Sequence, residues 1–353
     1  FAVYFLWAKG DRLKAIGDAH FFTVIIPARN EATHVEACLH AVLAQDYPHF
    51  EIILINDHST DDTAARARVI AQQDSRLTVI DLQTDAQNSY KKTAIAQAIA
   101  TAKGDIIVQT DADCVMGPSW LTALSGPFTQ GKDLVSAPVQ LKTPNSEPKT
   151  NNIFHRLQAL EHQGLVMLGG GSLLGGFPNM ANGANLAYRK EVFQAVDGFA
   201  GVDHVASGDD ELLLQKIHKA GYKLDFLLDR RAIVQTSPLD QIADFKAQRL
   251  RWVSKARAYK NRKVNVVQMV SYLAFVAFLV WLIMGKWDFF LTGIIVKFIV
   301  DGILMVQASR FFRTFRLLWL LPILEPIYII YVLWVGIAGN FITTYTWKDR
   351  TVS

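Results

Sequence analysis

At 353 residues the chain has room for one large or two modest domains, and a 51% hydrophobic content is high for a protein that lives wholly in water. A net charge of +4, with no stretch of interleaved aromatic and basic residues, excludes a nucleic-acid binder. The two cysteines, Cys38 and Cys114, are too far apart to suggest a disulfide framework or a thiolate metal site, and both read as reduced structural residues.

The chain starts with the apolar run Phe1 to Ala8, followed at once by Lys9, Arg12 and Lys14. That run is too short to span a bilayer and no signal-peptide cleavage pattern follows, so residues 1–9 read as the remnant of a membrane helix.

From Phe22 to about Leu141, short β-branched runs alternate with helical patterns, the signature of a parallel sheet covered by helices. Strands are expected at Thr23 to Ile26, Glu51 to Ile55, Leu77 to Leu82 and Asp105 to Gln109, with a fifth at Leu134 to Gln140. Helices are expected at Glu31 to Leu43, Asp62 to Gln72, Tyr90 to Ala102 and Ser119 to Leu124. Ligands of such sheets bind where the loops leave the carboxyl ends of the strands. Polar runs stand there: Pro27-Ala-Arg-Asn-Glu31, Asn56-Asp57-His58-Ser59-Thr60-Asp61 and Thr110-Asp111-Ala112-Asp113.

A helix from Asn152 to Leu168 leads into Gly169-Gly-Gly-Ser-Leu-Leu-Gly-Gly-Phe177, which reads as a mobile lid or acceptor loop. A phosphate-cradling loop is disfavoured there, because no strand precedes it and no Gly-Lys-Ser/Thr follows. Pro238 to Arg262 reads as an amphipathic interface helix, with Ile242, Phe245, Trp252, Ala256 and Tyr259 near one face and many basic residues elsewhere. Val264 to Met284, Phe289 to Val306 and Leu317 to Phe341 then have membrane-spanning length. Lys14, the basic run Lys260 to Lys263, Arg310, Arg313 and Arg316 share one side, which the positive-inside rule makes cytoplasmic. Lys297 and Asp301 stand inside the second span, as a neutralised pair or the lining of a polar path.

Asp111 and Asp113 close an apolar strand, a spacing that lets two carboxylates address one hard divalent cation bridging to diphosphate oxygens; an Asp-rich turn after any strand has the same spacing. Asp57 ends another strand at the same edge, where a carboxylate can accept hydrogen bonds from a nucleobase or ribose, or simply shape a turn before a helix capped by Thr60 or Asp61. In Ser207-Gly-Asp-Asp-Glu211 the acids suit a helix start, and one of them also suits a general base. Gln248-Arg-Leu-Arg-Trp252 offers anion pairing and a stacking face.

Together, Pro27-Ala-Arg-Asn-Glu31, Asn56-Asp57, Asp111-Ala-Asp113, Gly208-Asp-Asp210 and Gln248-x-x-Arg-Trp252 resemble, in order and spacing, the membrane-anchored family 2 glycosyltransferases, among them cellulose, chitin and hyaluronan synthases and the enzymes that glycosylate ceramide or carotenoid lipids. The resemblance implies an α/β fold of the glycosyltransferase A type, a Rossmann-like nucleotide-sugar-binding domain, over residues 20–236. The interface helix at 237–263 and three transmembrane helices at 264–346 would complete the chain. It implies Asp210 as catalytic base with Asp209 beside it, and donor contacts from Pro27, Arg29, Glu31, Asp57, Lys92, Asp111, Asp113, Gln248, Arg251 and Trp252. Asp113 and Asp111 would bind Mg²⁺ or Mn²⁺, with Asp113 the nearer ligand. Asn182, Gly183, Ala184, Asn185 and Trp252 would meet the acceptor. Lys91 and Lys92 resemble basic residues near the donor, although a solvated helix start has the same composition.

The implied reaction is inverting transfer of a sugar from a nucleotide-sugar, a UDP-sugar first among the candidates, to a lipid or saccharide acceptor at the inner (plasma) membrane, with the catalytic part cytoplasmic. A processive polysaccharide synthase and a non-catalytic nucleotide-sugar-binding subunit are the alternatives. Few membrane spans disfavour the first, and the intact acidic motifs disfavour the second. A nucleotidyltransferase lacks its glycine-rich loop and activating lysine here.

Overall fold

Phe22–Ala28 (β1), Phe50–Asn56 (β2), Leu77–Asp81 (β3) and Ile106–Gln109 (β4) are parallel strands in the spatial order β3-β2-β1-β4. Their near-continuous runs of Ile, Val and Leu suit strands covered on both faces. The helices between them are Val35–Leu43 (α1), Thr63–Ala71 (α2) and Tyr90–Thr101 (α3). The computed structural model describes residues 20–83, 90–142, 152–254, 262–341, 345–347 and 350–352. The expected helix remnant at 1–9 lies outside the described residues, as do Lys255, Ala256, Arg257, Tyr259 and Lys260.

Next come Val115–Met116 (β5), Trp120–Thr129 (α4), Leu134–Ser136 (β6), Val139–Leu141 (β7), Ile153–Leu174 (α5), Leu186–Arg189 (β8), Lys190–Ala195 (α6), Glu211–Lys219 (α7), Leu224–Phe226 (β9) and Val234–Thr236 (β10). The large sheet continues as β4-β8-β6-β9, with β8 antiparallel to both neighbours. The fifth strand expected at Leu134 to Gln140 is two strands in two sheets, since β7 joins β5 and β10 in a small sheet of its own. Pro138, which has no N–H to give a ladder, stands at the break.

Register aligns the site. Ala28 pairs with Asn56 and Ile25 with Gln109, and Gln109 in turn faces Leu186. The carboxyl ends of β1, β2 and β4 and the start of β8 therefore share one edge, which carries the loops after residues 28, 56 and 109 and the turn before residue 186.

The glycine-rich stretch is a correction. Gly169 to Leu174 continues α5 as helix and is not a lid. The glycines are there for close packing: a Cβ on Gly170 would lie 2.5 Å from the Phe226 ring, and one on Gly169 would lie 3.2 Å from Met180 Cβ. Backbone Gly175 N donates to Gly171 O at 2.9 Å where the helix ends.

Two units divide the chain. The first comprises Phe1–Gln140, Gly169–Ser237 and Thr346–Ser353, and the second Leu141–Leu168 and Pro238–Tyr345. The first holds the large sheet and its core, with Val24, Ile26, Leu54, Val108 and Trp120 fully buried. It also takes in Arg350–Val352 (β12), which pairs with Tyr345–Trp347 (β11).

The second unit contains Ile242–Ser254 (α8), Arg262–Ile283 (α9), Trp287–Phe312 (α10) and Leu321–Phe341 (α11). Arg262 and Lys263 open α9. Asn265–Ile283, Trp287–Phe312 and Phe315–Ala338 are long and apolar enough to cross a membrane, and many of their large apolar side chains are exposed. In α8 the buried side chain is Arg249, while Ile242 is 60% exposed. Arg249 pairs with Glu161 and stacks on Phe245 and Trp252 at 4.6 and 4.3 Å. Burial raises the Glu161 carboxyl pKa, against the pull of Arg249. Within the spans Lys297 binds Asp301 at 2.6 Å and also binds Glu325 of α11.

Candidate active site

The loops after β1 and β2 interlock. Arg29 is buried and donates from Nη1 to Asp57 O at 2.9 Å and His58 O at 2.8 Å, so its guanidinium shapes the Asp57 loop from beneath. Asn30 accepts from Thr60 N at 2.9 Å, and Glu31 N donates to Thr63 Oγ1 at 2.7 Å. Asp61 accepts from Thr63 N and from Ala32 N at 3.0 Å each, while the N-cap residue of α2 is Asp62, whose side chain makes no capping bond. Asp57 is thereby left for another task, its carboxylate facing Arg350 Nη1, with both oxygens at 2.9 Å, and His58 Nδ1 at 3.1 Å. Pro27 is the next-to-last residue of β1, and the Glu31 carboxylate lies 3.1 Å from His34 Nδ1.

Around the end of β4 the acids converge on one cation. Lys91 Nζ lies 2.8 Å from Asp111 and 3.3 Å from Asp209. Burial works against the lysine charge, but Asp111, Asp209 and Asp210 outweigh it and hold the ammonium well above the ordinary lysine range. Asp113 accepts from Thr236 Oγ1 at 2.9 Å and Cys114 Sγ at 3.5 Å. The two thiols behind the strand are buried, and burial with Asp113 and Asp111 nearby pushes both up and keeps them neutral.

Asp210 caps α7 by accepting from Glu211 N at 2.7 Å, and its other oxygen accepts from Gly183 N at 3.0 Å. A Cβ on Gly183 would stand 3.0 Å from Asp209 Oδ2 and 3.4 Å from Lys91 Nζ, so the glycine lets this turn approach the acids. Gly208 has φ +81°, which glycine adopts without strain, and turns the chain into Asp209.

Two of the expected side chains, Lys92 and Asn185, are engaged by other groups. Lys92, expected at the donor, points the other way and donates to the carbonyls of Val202, Val205 and Ser207, pinning the loop before Asp209; its neighbour Lys91 is the lysine among the acids. Asn185, expected at the acceptor, is fully buried: Nδ2 donates to Pro138 O and Ala232 O at 2.8 Å each, and Oδ1 accepts from Trp120 Nε1 at 3.0 Å. Gly183 and Ala184 are buried too, which leaves Asn182, half-buried, at the edge. Gln248, Arg251 and Trp252 lie on α8 in the second unit. Arg350 at Asp57, and its stacking on Tyr90, were not expected from sequence, which gives no local signal for a contact 293 residues apart.

Among the described residues no three His, Cys, Asp or Glu side chains converge as a preformed metal cage. The donor set still fits a hard divalent ion. Asp111 and Asp113 offer carboxylate oxygens of the kind such ions take, and Asp111 and Asp209 already pair with the Lys91 cation; such ions commonly complete their shell with phosphate oxygens.

Residues 23–196 match the model of glycosyl transferase family 2. The chain is 30% identical over 219 residues to glycosyltransferase AglE of Haloferax volcanii, an alignment covering 59% of this chain and 65% of that one. It is 26% identical over 234 residues to poly-beta-1,6-N-acetyl-D-glucosamine synthase of Staphylococcus aureus, covering 65% and 53%. Less than two thirds of either relative's length is thus matched. Its fold is similar to that of the mannosyltransferase PcManGT of Pyrobaculum calidifontis, solved with GDP-Man and Mn²⁺, at TM-score 0.58 and 18% identity over 96% of this chain and 94% of that one. That likeness confirms the glycosyltransferase A type of α/β domain followed by apolar helices. The sheet, its acidic edge and these matches together identify residues 23–196 as a glycosyl transferase family 2 domain.

Proposed function

We propose that this protein is a membrane-bound glycosyltransferase that moves a sugar, with inversion, from a nucleotide-sugar to a lipid or saccharide acceptor at the membrane, with the first unit cytoplasmic. The observation that carries the reading is the gathering of Asp111, Asp209 and Asp210 at Lys91, on the loop edge of a family 2 fold.

Asp57 accepts an N–H of the nucleobase, and Asp111 and Asp113 would hold Mg²⁺ or Mn²⁺, which would neutralise charge on the leaving diphosphate. Lys91 offers a second cation to the same diphosphate. Asp210 receives the proton of the acceptor hydroxyl while that oxygen bonds to the anomeric carbon; the carbon–oxygen bond to phosphate breaks and the nucleoside diphosphate departs. The two backbone N–H groups on Asp210 fix its orientation.

GDP-Man in the mannosyltransferase makes GDP-sugars a donor class to test beside UDP-sugars. Release of nucleoside diphosphate from a panel of both, with and without Mn²⁺, is the experiment, followed by mass analysis of lipid extracts. Absence of turnover with every donor in lipid-containing samples would refute catalysis and favour a nucleotide-sugar-binding subunit. The likeness to a polysaccharide synthase keeps polymerisation as the second reading, and a ladder of products would establish it.

A further inference from the structure

Arg350 is out of place for a residue with only a structural duty. It stands at the start of β12, yet its Nη1 reaches both carboxylate oxygens of Asp57 at 2.9 Å, and its Cζ lies 3.7 Å from the centroid of the Tyr90 ring. The Asp57 side chain is 4% exposed and that of Arg350 14%. The loop beneath is built independently of this contact: Arg29 holds the carbonyls of Asp57 and His58, and Asn56 Oδ1 accepts from Ser59 N at 3.2 Å.

What Arg350 presents there is a flat, delocalised group with N–H donors on its rim, stacked on an aromatic face and aimed at a carboxylate. A guanine or uracil ring has the same features: a planar face for Tyr90 and a ring N–H for Asp57. Guanine even contains a guanidine unit along its pairing edge. One carboxylate on one face of one tyrosine does not serve both at once. Without either partner the buried Asp57 carboxylate would keep only the His58 ring at 3.1 Å, so an open subsite is costly.

We propose that Arg350 is an intramolecular occupant of the nucleobase subsite, and that the donor base binds by displacing it from Asp57 and Tyr90. This rests on the reading of Asp57 as the base contact. Occupancy by Arg350 multiplies the donor affinity by the fraction of molecules in which the subsite is open, so removing the guanidinium tightens donor binding without adding any contact. A nucleobase of the required class presents an N–H to the carboxylate.

The test measures binding of GDP and of UDP, each with Mn²⁺, to the full chain in detergent by calorimetry, comparing Arg350→Ala, Arg350→Gln and Asp57→Ala with the unaltered protein, after melting curves show all four folded. The expected result is that both Arg350 variants bind one of the nucleotides about three- to tenfold more tightly, while Asp57→Ala binds it more weakly. If Asp57→Ala weakens binding and the Arg350 variants weaken it as well or leave it unchanged, Arg350 is not an occupant and the proposal is overturned, with the Asp57 reading intact. Should the Arg350 variants tighten binding while Asp57→Ala leaves it unchanged, occlusion stands and the assignment of Asp57 to the base falls. Variants at Arg350 that bind neither nucleotide also overturn the proposal.

Discussion

Lys91 donates to Asp111 at 2.8 Å, so a cluster of acids at the end of β4 draws its counter-charge from the chain itself. Replacing Lys91 by Met leaves Asp111, Asp209 and Asp210 facing each other without that cation. Without metal the variant should melt lower than the unaltered protein, and Mn²⁺ should raise its melting temperature by more, because binding to the folded state is then favoured. Transfer should fall about tenfold or more if the ammonium assists the diphosphate. Equal Mn²⁺ shifts in both proteins would remove Lys91 from the site.

Asp210 carries the proton in the proposed reaction. Asp210→Asn keeps the size of the side chain and an oxygen for one of the two backbone N–H groups, so donor binding should survive while transfer drops by about two to four orders of magnitude. Near-normal turnover in purified protein would refute the assignment.

Asn185 ties the turn before β8 to the segments leading into β7 and β10 and to α4 through three buried hydrogen bonds. Asn185→Ala should cost about 2–3 kcal/mol, from two carbonyls and an indole N–H left unpaired. Denaturant unfolding measures this. A loss of activity at unchanged stability would return Asn185 to the acceptor.

Cys38 and Cys114 have folded-state pKa values above that of a free thiol, so their contribution to stability is complete below the unfolded pKa and declines as pH rises past it. Above roughly pH 8.5 the unfolding free energy should fall by about 1.4 kcal/mol per pH unit for each thiol. The slope should shrink in Cys38→Ala and Cys114→Ala. Iodoacetamide at pH 8 should leave both unmodified until the protein unfolds.

Much of this was legible in the chain. The apolar runs that became β1, β2 and β4 are local, and the acids following them sit where strand ends must lie, so Asp57, Asp111 and Asp113 could be located without coordinates. What was hidden depends on contacts distant in sequence. Gly169 and Gly170 read as loop, because nothing nearby announces Phe226 and Met180 as the side chains they accommodate. Successive lysines on a helix point about 100° apart, and only the fold decides that Lys91 meets the acids while Lys92 turns to the Val202–Ser207 carbonyls. Asn185 looked available in a turn of small polar residues, yet Trp120 and the Pro138 and Ala232 carbonyls close over it. Glu325 escaped notice because its partner, Lys297, is on another helix.

That last contact bears on how the protein is made. Lys297 and Asp301 on α10 share their charges with Glu325 on α11, so neither helix enters a bilayer fully matched without the other. The two are therefore expected to leave the insertion machinery together as a helical hairpin, and a ribosome-stalled chain ending between them should be held back from lipid until α11 emerges.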